Sequence, residues 1–81
     1  MVQDKKLVQI IVNAVAHDWS KDEISHAEVV ALDVQSPDPT LTYSVTYERG
    51  HGNKPEGILV PGASVKVKQG MVFHVSTTGQ S

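Results

Sequence analysis

At 81 residues, with 40% hydrophobic and 20% charged side chains, the chain has enough material for one small core and is too apolar for a disordered segment. The formal charge of −2 points to no partner, and the absence of cysteine excludes disulfides, thiolate metal sites and a cysteine nucleophile, so any thioester formed with this chain takes its sulfur from the partner. The longest apolar runs, Ile10 to Val12 and Ala14 to Ala16, are far shorter than the roughly 20 residues of a membrane span, and Asp4, Lys5 and Lys6 open the chain without a signal-peptide pattern. The expectation is one soluble, cytoplasmic domain over residues 1–81.

Val8, Ile10 and Val12 alternate with Gln9, Ile11 and Asn13, which predicts a β-branched strand with one buried and one partly covered face. Asn13-Ala14 is placed for a hairpin turn, because Asn tolerates positive φ, although Ala14 stands where Gly is usual. A second, shorter strand follows over Val15 to Trp19. Ser25 and Glu28 form a capping-box pattern, and Ile24 and Val29 are spaced for a hydrophobic staple. A helix therefore starts here, with Ala27, Val30 and Ala31, joined by Val29 or Leu32, as its apolar face. It ends before Ser36-Pro37-Asp38-Pro39 after about three turns and needs a sheet to pack against.

Leu41, Tyr43, Val45 and Tyr47 alternate with Thr42, Ser44, Thr46 and Glu48, the cleanest period of two in the chain. Residues 49–57 hold three glycines and a proline and read as a loop. Ile58 to Val60 reads as a short strand before a Pro61-Gly62 type II turn, and Val65 and Val67 alternate with Lys66 and Lys68. Gly70 then turns the chain into a final strand in which Met71, Phe73 and Val75 face inward and Val72 and His74 outward. From about residue 76 onward nothing is large and apolar. The order of elements predicts an α+β fold, a single mixed sheet of four or five strands packed on one helix. Phe73 and Val75 face that helix from mid-sheet.

The slim polar end has two readings. It frays like most termini, or it is threaded into another protein's active site while the strand before it anchors it to a rigid body. Val72 and His74 likewise read either as isolated surface residues or as part of a docking patch on the outer face of the last strand. His17, His26, His51 and His74 sit at no metal-ligand spacing. Lys5-Lys6, Lys66 and Lys68 have no aromatic interleaving, which argues against nucleic acid and for a solvated face. Asp18, Asp22 and Glu23 read as turn and helix-dipole residues. No Ser/His/Asp arrangement can be placed.

Several segments resemble the bacterial multiubiquitin family: Ile11-Val12-Asn13, Asp22-Glu23-Ile24-Ser25, Glu28-Val29-Val30-Ala31-Leu32 and Tyr43-Ser44-Val45-Thr46-Tyr47-Glu48 in the first part. Lys54-Pro55-Glu56-Gly57, Gly62-Ala63-Ser64-Val65-Lys66-Val67-Lys68 and Gly70-Met71-Val72-Phe73-His74-Val75 are similar to its most recognisable segments. The resemblance spans about Leu7 to Ser81. It implies a ubiquitin-like β-grasp fold and a protein modifier that is not itself an enzyme and holds no cofactor. The implied partners are an activating enzyme, a conjugating enzyme, a metallopeptidase that processes or deconjugates, and target proteins, in bacterial operons associated with antiphage defence. No nucleic acid and no membrane belong to that set. The C-terminal carboxylate would be adenylated with ATP, passed to a catalytic side chain of the enzymes and joined to a target by an isopeptide bond.

On that reading Thr77, Thr78, Gly79, Gln80 and Ser81 form the conjugation tail. Gly79 matches a conjugating terminus once Gln80 and Ser81 are removed, and Ser81 is the alternative end, since the chain lacks the Gly-Gly terminus of ubiquitin and the sulfur carriers. Ubiquitin also presents a histidine and apolar residues on the outer face of its last strand, which is where Val72 and His74 fall. The competing function is a noncovalent β-grasp module that bridges partners or self-associates through a sheet face or edge. A sulfur carrier fits less well.

Overall fold

Val8–Val12 forms β1 and Val15–Trp19 forms β2, paired antiparallel from Val8 opposite Trp19 to Val12 opposite Val15. Asn13 at φ 47° and Ala14 at φ 72° make the connecting turn. Two positive φ values match the right-handed twist of the hairpin, but Ala14 takes its Cβ into the left-handed region at a cost of about 1–2 kcal/mol. The computed structural model describes residues 7–77 apart from Gln35, Pro37, Pro39, His51 and Lys54.

Glu23–Ser25 is β3 and His26–Asp33 is α1. The capping box forms as its residues predict: the Glu28 amide donates to Ser25 Oγ at 3.1 Å, and Glu28 Oε1 accepts from the Ser25 amide at 2.9 Å. Ile24 and Val29, the staple pair, are both fully buried. The helix has eight residues, closer to two turns than to three. Its core face also differs from the expected one. His26, Val29 and Val30 are buried, whereas Ala27 and Ala31 are exposed. A short helix presents only one narrow stripe, and the larger side chains take it because they remove more apolar area from water.

Tyr43–Glu48 is β4, Gly57–Leu59 is β5, Ser64–Lys66 is β6 and Val72–Thr77 is β7. Strand β4 starts two residues after the alternation does. Asp38 holds the preceding residues in a turn, its carboxylate accepting from the Thr40 amide and hydroxyl and its carbonyl from the Leu41 amide. Strand β5 starts at Gly57 because Tyr47 lies across it. A Cβ there would come within 2.8 Å of Tyr47 Oη, so the residue that reads as loop composition is what lets the two strands approach.

Five strands join in the order β2-β1-β7-β4-β5, a mixed sheet in which only β1 and β7 run parallel. The expected single sheet is thus one of two. Strands β3 and β6 pair separately, Glu23 opposite Lys66 and Ser25 opposite Ser64, so Ser25 ends a strand and caps a helix in the same residue. Both strands have three residues; the Val65–Val67 alternation marks β6, whereas Glu23–Ser25 reads only as the approach to the helix.

Helix α1 packs on β1, β7 and β4. Ile10, Val12, Ile24, Val29, Val45, Met71 and Phe73 are essentially inaccessible to solvent and form the centre of the core. Buried His26 is satisfied, its amide donating to the Ala63 carbonyl and its Nε2 lying 2.9 Å from the Tyr43 carbonyl, which assigns the ring proton to Nε2. The mixed sheet on a single helix agrees with a ubiquitin-like arrangement.

Candidate functional site

Strand β7 lies in the middle of the five-stranded sheet, between β1 and β4, and is the last element described. Gly70, at φ 85°, admits the chain to it, and the Gly70 amide donates to the Gln9 carbonyl. The parallel ladder then climbs through the Ile11 amide to the Met71 carbonyl at 2.9 Å and the Asn13 amide to the Phe73 carbonyl at 3.0 Å. Beyond that point β1 has turned away into its hairpin.

The Asn13 side chain continues the ladder. Its Nδ2 donates to the Val75 carbonyl at 3.0 Å and its Oδ1 accepts from the Val75 amide at 2.8 Å. One amide side chain thus replaces a missing strand residue on both backbone groups. Asn13 was visible in the sequence only as a turn former. Its partner is 62 positions away, and no local pattern carries that pairing.

On the other edge, β4 pairs with β7 from Glu48 opposite Val72 to Tyr43 opposite Thr77. The slim tail is expected from about residue 76, and its first two residues are in the sheet. Ser76 and Thr77 lie in β7 opposite Ser44 and Tyr43, because a backbone ladder needs no apolar side chain to continue. Of the expected conjugation residues, Thr77 ends the strand. Thr78, Gly79, Gln80 and Ser81 lie outside the described residues.

The two faces of β7 separate as the alternation requires. Phe73 and Val75 are buried, Val72 is half-buried and His74 is exposed. On the outer face Ile58, Thr46 and His74 stand in one cross-strand row, and Glu48, Val72, Ile11 and Ala16 in the next. His74 Nε2 approaches Glu48 Oε2 to 3.1 Å, which orients the ring on the surface. Ile58 is 72% exposed. Thr46, Tyr47, Glu48, Glu56, Gly57, Ile58 and His74 line an open depression of about 350 Å³. The structure therefore brings Val72 and His74 together with Ile58, which the sequence offered only as a residue of a short strand.

The other sequence candidates disperse. His17 is on β2, His26 is in the core and His51 is outside the described residues. Among the described residues no three His, Asp or Glu side chains gather to hold a metal ion. Lys66 sits on β6 opposite Glu23. Glu28 is held below the ordinary carboxylate value of 4.5 by the hydrogen bond from the Lys21 ammonium and then by that from the Ser25 amide. This cluster stabilises the start of the helix. No helix among the described residues is long and apolar enough to cross a membrane.

No curated protein and no solved structure gives a match to the chain. The family model described as multiubiquitin matches residues 8–79, from the first residue of β1 to Gly79 beyond the end of β7. With every described element inside that match, the chain belongs to the multiubiquitin family.

Proposed function

We propose that the chain is a ubiquitin-like protein modifier, acted on by enzymes and not an enzyme itself. The observation that carries this reading is the family match across residues 8–79, which takes in the whole sheet and reaches Gly79. Strand β7 supports it, because a terminus that follows a strand paired on both edges is delivered from a fixed point on a rigid body.

In this reading the terminal carboxylate attacks the α-phosphorus of ATP, forming an acyl-adenylate and releasing pyrophosphate. A catalytic side chain of a partner enzyme displaces AMP, and a target amine then displaces that side chain to leave an amide bond. The chain has no cysteine, so the thiol of a thioester would belong to the activating or conjugating enzyme. Thr77 to Gly79 form the approach to the reactive end, and a metallopeptidase that removes Gln80 and Ser81 exposes Gly79. Val72 and His74, on the outer face beside Ile58, are the surface that partner proteins dock on. The setting is a bacterial ubiquitination-like system of antiphage defence, in the cytoplasm.

The intact mass of the protein, expressed with its own neighbouring genes and ATP, tests the reading. A species ending at Gly79, with heavier adducts that vanish when Gly79 is deleted, is the expected result. An unprocessed chain with no adducts would overturn it in favour of a noncovalent module. The exposed outer face and the open edges of β2 and β5 are the features that favour that second reading.

A further inference from the structure

We propose that the outer sheet face around Ile58 docks a partner segment carrying lysine or arginine beside apolar side chains. The inference rests on the reading of Val72 and His74 as a docking surface and names the chemistry that this surface selects. Its apolar part is Ile58 at 72% exposure, with half-buried Val72 and Ile11 one row away. Its rim is acidic. Glu48 and Glu56 line the depression that contains Ile58, and among the described residues no lysine or arginine lines it.

The imbalance extends across the face. The outward residues of the five strands are Gln9, Ile11, Ala16, Asp18, Ser44, Thr46, Glu48, Ile58, Val72, His74 and Ser76; two are carboxylates and the only basic side chain is His74. Of the described lysines and arginine, Lys21 is bonded to Glu28, Lys66 is on the separate β3–β6 sheet, Lys68 follows it, and Arg49 follows Glu48 at the end of β4 without lining the depression. A phosphate-bearing surface would meet like charge here. A cationic segment would meet complementary charge at the rim, which sets orientation and encounter rate, while Ile58 and Val72 supply apolar area.

Backbone-amide NMR of the full chain, titrated with a synthetic helical peptide of leucine and lysine, tests this directly, with a leucine–glutamate peptide as control. The expected result is a set of shifts confined to Thr46, Glu48, Ile58, Val72, His74 and their neighbours, absent with the control. The double variant Glu48→Gln, Glu56→Gln should weaken binding by about fivefold, the scale of two rim charge pairs, and Ile58→Ser should abolish it, both with unchanged unfolding. Equal binding of the control peptide, shifts centred on another face, or an unaffected double variant would each overturn the proposal. The titration contains no activating enzyme, so it separates from the modifier reading. Peptide binding without adducts in the expression experiment sinks the modifier and leaves this site standing, and adducts without peptide shifts do the reverse.

Discussion

The two faces of β7 are built from the same six residues and do different work. Inward, Phe73 is fully buried, with its ring centroid 6.3 Å from that of Tyr47 on the neighbouring strand, and Val75 lies beside it under the helix. Outward, Val72 and His74 meet solvent beside Ile58 and two carboxylates. Burial makes the inner face sensitive to volume and the outer face indifferent to it. The outer face is therefore free to vary in charge and shape without endangering the fold, and that freedom is what a recognition surface needs.

The sharpest way to break the contrast is Phe73→Ala. It should cost about 3–5 kcal/mol, because a phenyl ring is removed from a site with no solvent access and the surrounding sheet cannot collapse fully into the space. Denaturant unfolding measures it, and an unchanged midpoint would remove Phe73 from the core. Asn13→Gly comes next. Glycine keeps the positive φ of the turn at no cost, so the variant isolates the loss of the side-chain amide that holds Val75. The expected destabilisation is about 1–3 kcal/mol, with faster hydrogen exchange at the Val75 amide. Normal exchange there would mean that the last strand does not depend on the clamp.

Ala14→Gly should act in the opposite direction, stabilising by about 0.5–1 kcal/mol, since relief of left-handed strain exceeds the added chain entropy. Thermal unfolding of this variant reads the strain of the hairpin turn without touching either face of β7. The Glu28 carboxyl supplies a pH test remote from the face. Its folded value lies below the ordinary 4.5, so its contribution to stability is fully present above that pH and is lost as pH falls through the folded value. The Glu28→Gln variant should show a shallower fall in stability below pH 4.5 than the parent. Parallel profiles would mean that the Lys21 and Ser25 bonds do not survive in solution.

The smallest effect should come from Ile58→Ser. At 72% exposure this change is expected to move stability by less than about 0.5 kcal/mol, while removing the apolar centre of the proposed docking surface. A large loss of stability would place Ile58 in the structural half of the comparison.

Short-range pattern was readable wherever one local rule acted alone. Ser25 and Glu28 announced the helix start because a capping box is complete within four residues, and the alternation from Tyr43 to Glu48 and from Val72 to Val75 assigned every side chain to the correct face. Reading failed where one residue served two partners. Ser25 closes β3 as well as capping α1, so its second role was masked by its first. Gly57 looked like loop composition because the demand for it comes from the Tyr47 ring. Ser76 and Thr77 looked like tail because the hydrogen bonds that keep them in the sheet carry no side-chain signature.

By itself, the sequence determined the number and kind of the long elements, the phase of β7 and, through its quoted segments, the family. Periodicity and capping are properties of neighbouring residues, and a chain read in order displays them. Only the tertiary structure decided that Asn13 completes the ladder on Val75, that Ile58 stands in the row of His74 with Glu48 and Glu56 around it, and that β3 pairs with β6 apart from the main sheet. Asn13 and Val75 lie 62 positions apart, Glu23 and Lys66 lie 43 apart, and Ile58 and His74 lie 16 apart. Their partners are chosen by how the sheet closes over the helix, and no window along the chain contains both sides of the choice.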